Sequence, residues 1–248
     1  MRKNIKLWAV LFWLIVWQIV SMRLNQQILL VSPIRVITRL SELIITKDFW
    51  LAIAFSASRI IGGFIIAVII SCLLAVLASK FKRIDELLAP FMLTIRSIPV
   101  ASFIILALIW FSSKNLAILI AFLMVMPVMY SNILTGIRTI DSKMYEMAQV
   151  FEIPPIKQVR YIYIPHIFKY FESACAVCLG LSWKSGVAAE VIGMPDGSIG
   201  ECLQQAKVYL DTPDLFAWTL VIVCVSLFFE RLFLWVLSKI KILVLRMD

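Results

Sequence analysis

Residues 49–78 form an apolar run that carries a single charged side chain, Arg59. A helix needs about 20 apolar residues to cross about 30 Å of hydrocarbon, so this run is long enough to span a bilayer. Comparable runs stand at 7–22, 87–111, 116–134, 168–192 and 215–237. In lipid, only helices and closed barrels satisfy all their backbone groups, and runs of this length read as helices. The expected fold class is therefore all-α, a polytopic membrane protein with six transmembrane helices in a single domain over 1–248. With 62% hydrophobic and 16% charged residues, the chain lacks the polar surface of a soluble domain.

Six spans place both termini on one side, and the distribution of basic residues selects that side. With the termini inside, the inner segments hold Arg2, Lys3, Lys6, Lys80, Lys82, Arg83, Arg138, Lys143, Lys157, Arg160, Lys169, Lys239, Lys241 and Arg246. The outer segments hold only Arg23, Arg35, Arg39, Lys47, Lys114 and Lys207. The formal charge of +9 then follows from topology and anionic membrane lipid at the inner face, and calls for no nucleic-acid partner. Arg2, Lys3 and Lys6 before an apolar run resemble a signal peptide, but no small-x-small cleavage site follows, so the first run reads as an uncleaved span. Pro33 followed by Ile34, Ile37, Leu40 and Ile44 reads as a short outer amphipathic helix within 30–47. The Cys175-x-x-Cys178 pair has no second pair nearby and His166 is the single histidine, so helix packing is expected there, with no metal site.

Inside the second run, Gly63, Ala67, Ser71, Ala75 and Ser79 recur every four residues, giving a smooth strip along which another helix can approach closely, within this subunit or from a second copy. The fifth run carries Trp183, Lys184 and Glu190 among small residues. Ionisable groups within a span face a partner or a water-filled cavity, so Arg96, Trp183, Lys184 and Glu190 are candidates for lining a transport route, with a buried structural pair or a snorkelling side chain as the alternative. Lys184 and Glu190 lie roughly 240° apart around a helix and do not share a face. Pro99 and Pro127 interrupt the third and fourth runs and predict kinks.

Between the fourth and fifth runs, 135–166 leaves the membrane and is long enough to need structure of its own. Asp141 or Ser142 can cap a helix over Lys143, Met144, Tyr145, Met147, Ala148, Val150 and Phe151, which Pro154 and Pro155 stop; a second short helix, 156–164, meets Pro165. A helix-turn-helix of this kind presents an apolar-edged face to a groove on another protein.

This loop resembles the signature loop of bacterial ABC-importer permeases, which reads Glu-Ala-Ala, three residues, Gly, nine residues, Ile-x-Leu-Pro. The matching positions are Glu146, Met147 and Ala148, then Glu152, then Ile162, Ile164 and Pro165, without gaps; Met147 replaces an Ala and Glu152 stands at the Gly position, so Pro154 and Pro155 are expected to shape the turn. The resemblance covers about 51–237 and is nearest the nitrate, sulfonate and taurine branch, through Ser58-Arg59-Ile60, Gly63-Phe64, Arg96-Ser97-Ile98-Pro99, 107–111, Gly136-Ile137-Arg138, and Trp183 with Ala189-Glu190-Val191-Ile192-Gly193.

The resemblance implies a type I ABC-importer permease fold in the bacterial cytoplasmic membrane. It also implies an ATPase-docking loop of Glu146, Met147, Ala148, Gln149, Val150, Glu152, Pro154, Ile162 and Pro165, a cytoplasmic ABC ATPase dimer binding ATP and Mg, and an extracytoplasmic substrate-binding protein that delivers a small, often anionic solute. The outer 193–213 loop, with turn residues and an amphipathic stretch 199–210, could meet that binding protein. The chain holds no Gly-x-x-x-x-Gly-Lys loop, so no nucleotide cofactor and no enzymatic role are expected of it. A single loop of this type leads us to expect a second copy of the permease, by analogy. The alternative is an ion- or proton-coupled secondary transporter using Glu190, Arg96 and Lys184, though paired internal repeats are not evident. An intramembrane enzyme would need clustered His, Asp or a nucleophile-base pair within the spans.

Overall fold

A computed structural model describes residues 6–24, 26 and 29–245 of the protein. Arg2, Lys3 and Arg246, which enter the charge distribution, lie outside the described residues, as do the side chains of Leu7, Tyr145 and 243–245. Regular structure among the described residues is helical throughout: α1 (Leu7–Leu24), α2 (Pro33–Ile44), α3 (Lys47–Lys80), α4 (Lys82–Ser97), α5 (Val100–Ala107), α6 (Ser113–Arg138), α7 (Ser142–Val150), α8 (Pro155–Gln158), a π turn (Val159–Tyr163), α9 (Ile164–Gly193), α10 (Ile199–Val208) and α11 (Thr212–Leu245).

Helix α6 is the centre of the bundle, with its most extensive contacts to α3 on one side and α9 on the other. The strip on α3 explains the first contact. Gly63, Ala67, Ser71 and Ala75 are buried, and Ser71 Oγ donates to Met126 O of α6 at 3.0 Å. A Cβ at residue 63 would overlap the Ile118 carbonyl, so only glycine allows this approach. The fifth strip residue, Ser79, is exposed and bonds its own helix at Val76 O (2.7 Å), so the strip ends one turn earlier than the spacing predicts. Cys175 and Cys178 are buried in the core, with Cys178 Sγ 3.9 Å from Val125 O.

Three prolines act differently, and the interruption expected at Pro99 is a full break. The third run is not one helix: α4 and α5 meet at a 101° bend. Pro99 has no N–H to donate, and Ile98 before it is pushed to extended backbone (φ −82, ψ 131), which ends α4. Pro127, by contrast, sits buried within an unbroken α6. Pro165 does not stop the loop's second helix either. The Ile164 N–H bonds Val159 O across a π turn, and Pro165 falls in the first turn of α9, where a missing N–H is tolerated.

Among the described residues, four helices are long and apolar enough to cross a membrane, or five if α4 with α5 counts as one broken span. α1 is a shorter apolar helix, so the expected count of six is not reproduced by length and composition. Helix α2 lies where the amphipathic helix was expected. It is tied to α11 by Arg39, whose Nε and Nη2 donate to the two carboxylate oxygens of Asp214.

Candidate functional site

The loop between α6 and α9 is built from local signals. The Asp141 carboxylate accepts from the Lys143 N–H at 3.0 Å and caps α7. At the other end the Glu152 N–H bonds Gln149 O (3.0 Å) and the Ile153 N–H bonds Ala148 O (2.9 Å), the bond pair that closes a helix through a left-handed residue. That residue is Glu152, at φ +52. The turn is thus made by Glu152 itself, at the position where the importer motif has glycine. Pro154 and Pro155 do not shape it but start α8, with Pro154 extended and Pro155 in the first turn.

Within this loop Ala148 is wholly buried, the pivot on which α7 rests, while Glu146, Gln149 and Pro154 are exposed and Ile162 and Pro165 half-buried. The large apolar side chains face out: Met147 is 41% exposed, Val150 79%, Phe151 73% and Ile156 84%. Met144, Met147, Phe151, Glu152, Ile153, Tyr161 and their neighbours line an open groove of about 440 Å³ between the two arms. At the base of the loop, Thr139 Oγ1 lies 2.9 Å from the Tyr170 hydroxyl and 3.3 Å from His166 Nε2, joining the ends of α6 and α9. Beside it, Asp85 of α4 accepts from Arg138 Nη2 (2.7 Å) and the Tyr130 hydroxyl (3.1 Å) of α6. This clamp joins residues far apart in the chain, and no local pattern signals it.

The four ionisable or aromatic residues proposed for a route separate into two kinds. Glu190 is fully buried. Its Oε2 accepts from Ser56 Oγ (2.7 Å) and the Gly200 N–H (3.3 Å), while Ser56 Oγ accepts from the Ile199 N–H (2.9 Å). The carboxyl group therefore caps the first turn of α10, where helix N–H groups are otherwise unpaired. A Cβ at residue 200 would run into the Glu190 Cβ and backbone, so glycine there permits the docking. Trp183 is also buried, packed with Ile60, Ala117 and Val187 and with its ring 6.4 Å from that of Phe229. Both residues are packed inside the chain, the buried structural placement that stood as the alternative to a route. Arg96 and Lys184 remain at the surface. Arg96 Nη2 donates to Pro127 O (2.6 Å) and Ser131 Oγ (2.5 Å), bracing the α4–α5 break against α6. Lys184 has no hydrogen-bond or ion-pair partner among the described residues.

Residues 67–242 match the family described as the binding-protein-dependent transport system inner membrane component. The chain is 26% identical to a putative aliphatic sulfonates transport permease of Bacillus subtilis (strain 168), over 85% of this chain and 77% of that protein. It is 22% identical to the taurine transport system permease of Escherichia coli (strain K12), over 86% and 80% of the two chains. It is 26% identical to a nitrate import permease of Synechococcus elongatus, over 75% and 70%. The family match covers most of the chain, spans the loop and its flanking helices, and accompanies an all-helical membrane fold: this protein belongs to the binding-protein-dependent ABC-importer permeases.

Proposed function

We propose that this chain forms half of the membrane core of an ATP-driven importer for a small anionic solute. The observation that carries the reading is the exposed apolar face of the helical loop, Met147, Val150, Phe151 and Ile156, on a segment whose base is hydrogen-bonded between the ends of α6 and α9. An apolar face of this kind in a polar loop is stable when a partner covers it. A cytoplasmic ABC ATPase dimer, binding ATP and Mg, is that partner, and closure of the ATPase moves the loop and with it the spans on either side. The termini and the loop then face the cytoplasm, in the bacterial cytoplasmic membrane. α10 and the turn after it face the extracytoplasmic substrate-binding protein, and a second copy of this chain completes the route. The anionic solute is inferred from the sulfonate, taurine and nitrate named for the similar permeases.

The test is affinity purification of the tagged chain from its native membranes. An ATPase subunit copurifies and the complex hydrolyses ATP; Phe151→Arg or Val150→Arg abolishes both the association and solute uptake. These exposed positions are better probes than Ala148→Arg, because Ala148 is inside the loop and its replacement disrupts the loop itself. An absent ATPase, or Phe151→Arg with assembly and uptake intact, overturns the reading.

A further inference from the structure

The exposed surfaces of the long helices are not alike. On α3 the outward residues are Ile65, Ile66, Ile69, Leu73 and Val76, and on α11 they include Val223, Leu227, Phe228 and Trp235, bulky side chains suited to acyl chains. On α9 the exposed face instead reads Ser173, Ala176, Val177 and Lys184, with half-buried Gly180 between them. A Cβ at residue 180 would meet no atom of the chain, so the space in front of it is open. At 100° per residue, Ser173, Val177, Gly180 and Lys184 lie within roughly 60° of one another.

Lys184 is what separates this face from a lipid-facing one. It lies four residues, or about 6 Å, from the middle of the 168–192 span, leaving about 9 Å to the nearer interface, further than a four-carbon stem extends. No counter-charge meets it among the described residues. An unpaired ammonium at that depth is tolerable where the helix face is wet. The other candidate cation, Arg96, is committed to Pro127 and Ser131.

We propose that Lys184 is a specificity-determining residue: its ammonium stands in the wall of a water-filled route along the Ser173–Lys184 face of α9 and admits anions in preference to cations. This rests on the importer-permease reading and adds to it the residue that selects charge. In a narrow, low-dielectric passage a single fixed charge changes the local concentration of small ions by roughly tenfold or more.

The experiment uses the full chain in native membrane vesicles of both orientations, carrying Val177→Cys on the α9 face or Ile69→Cys on the α3 face. Ser173→Cys is a second probe of the α9 face should Val177→Cys not accumulate. Each is combined with Lys184 intact, Lys184→Gln or Lys184→Arg. Rates of reaction with sulfonate-bearing and trimethylammonium-bearing methanethiosulfonates are compared after subtracting the unsubstituted chain. Every variant, and the chain subtracted, also carries Cys224→Ser, because Cys224 is exposed on α11; Cys175 and Cys178 are buried, and burial pushes the Cys202 thiol up to about 11, which keeps its background low. Val177→Cys reacts and favours the sulfonate reagent; Lys184→Gln lowers the sulfonate-to-ammonium rate ratio by roughly tenfold, Lys184→Arg preserves it, and Ile69→Cys stays inert. A Val177→Cys as inert as Ile69→Cys, or a ratio unmoved by Lys184→Gln, overturns the proposal. The labelling needs neither ATP nor the ATPase, and the second copy of the chain is present in the native membrane. A missing ATPase in the purification therefore refutes the importer reading alone, and failed labelling refutes the role of Lys184 alone.

Discussion

Glu152 holds a left-handed backbone at φ +52, where its Cβ crowds the following carbonyl. Glycine would adopt this conformation without strain, and the two bonds that close α7, from Glu152 N–H and Ile153 N–H, do not depend on the side chain. Glu152→Gly is therefore expected to stabilise the loop by about 1 kcal/mol, since the relieved strain outweighs the added freedom of the unfolded chain. Thermal unfolding of the purified chain in detergent checks this, and a lower midpoint for the variant would refute it. The position of the turn was legible in the motif spacing; its maker was not, because two adjacent prolines are a stronger sequence signal than one glutamate in an unusual conformation.

At the scale of elements, α10 packs through Ile199 on Phe49 and Trp218, and one carboxyl group, Glu190, supplies the buried polar link of its first turn to α3 and α9. Glu190→Leu leaves the Ser56 hydroxyl and the Gly200 N–H, both buried, without that acceptor. Each such loss is worth about 1–3 kcal/mol. The variant should therefore expose the 193–213 loop to protease while the rest of the chain stays resistant, and Glu190→Gln, which keeps an acceptor oxygen, should remain close to wild type. Equal protection of the two variants would show that the carboxyl does not hold α10. The start of the outer helix at 199 was readable in the sequence; its caps were not singled out there, with Ser198 accepting from the Glu201 N–H and Asp211 from the Asp214 N–H at the start of α11. The 101° break between α4 and α5 was readable only as an interruption. Arg96 ties the break to α6, a contact between residues 31 apart in the chain that no local pattern signals.

For the whole molecule, one chain provides one helical loop and one open face on α9. Two copies would cover that face from both sides of a two-fold axis. Native mass measurement of the purified complex is expected to show two copies of this chain per particle, and one copy beside a different permease would refute the homodimer. What the sequence alone determined is what depends on neighbours along the chain: apolar runs long enough for a bilayer, the caps of α7, and the gapless motif of the loop, each set by side chains within a turn or two of one another. Which way each intramembrane residue points was decided only by the tertiary structure. Trp183, Lys184 and Glu190 lie within two turns of one helix, yet packing against α3, α6, α10 and α11 buries the first and third and leaves the lysine at the surface. A helix's rotation about its own axis is set by the partners it packs on, and those partners are distant in sequence.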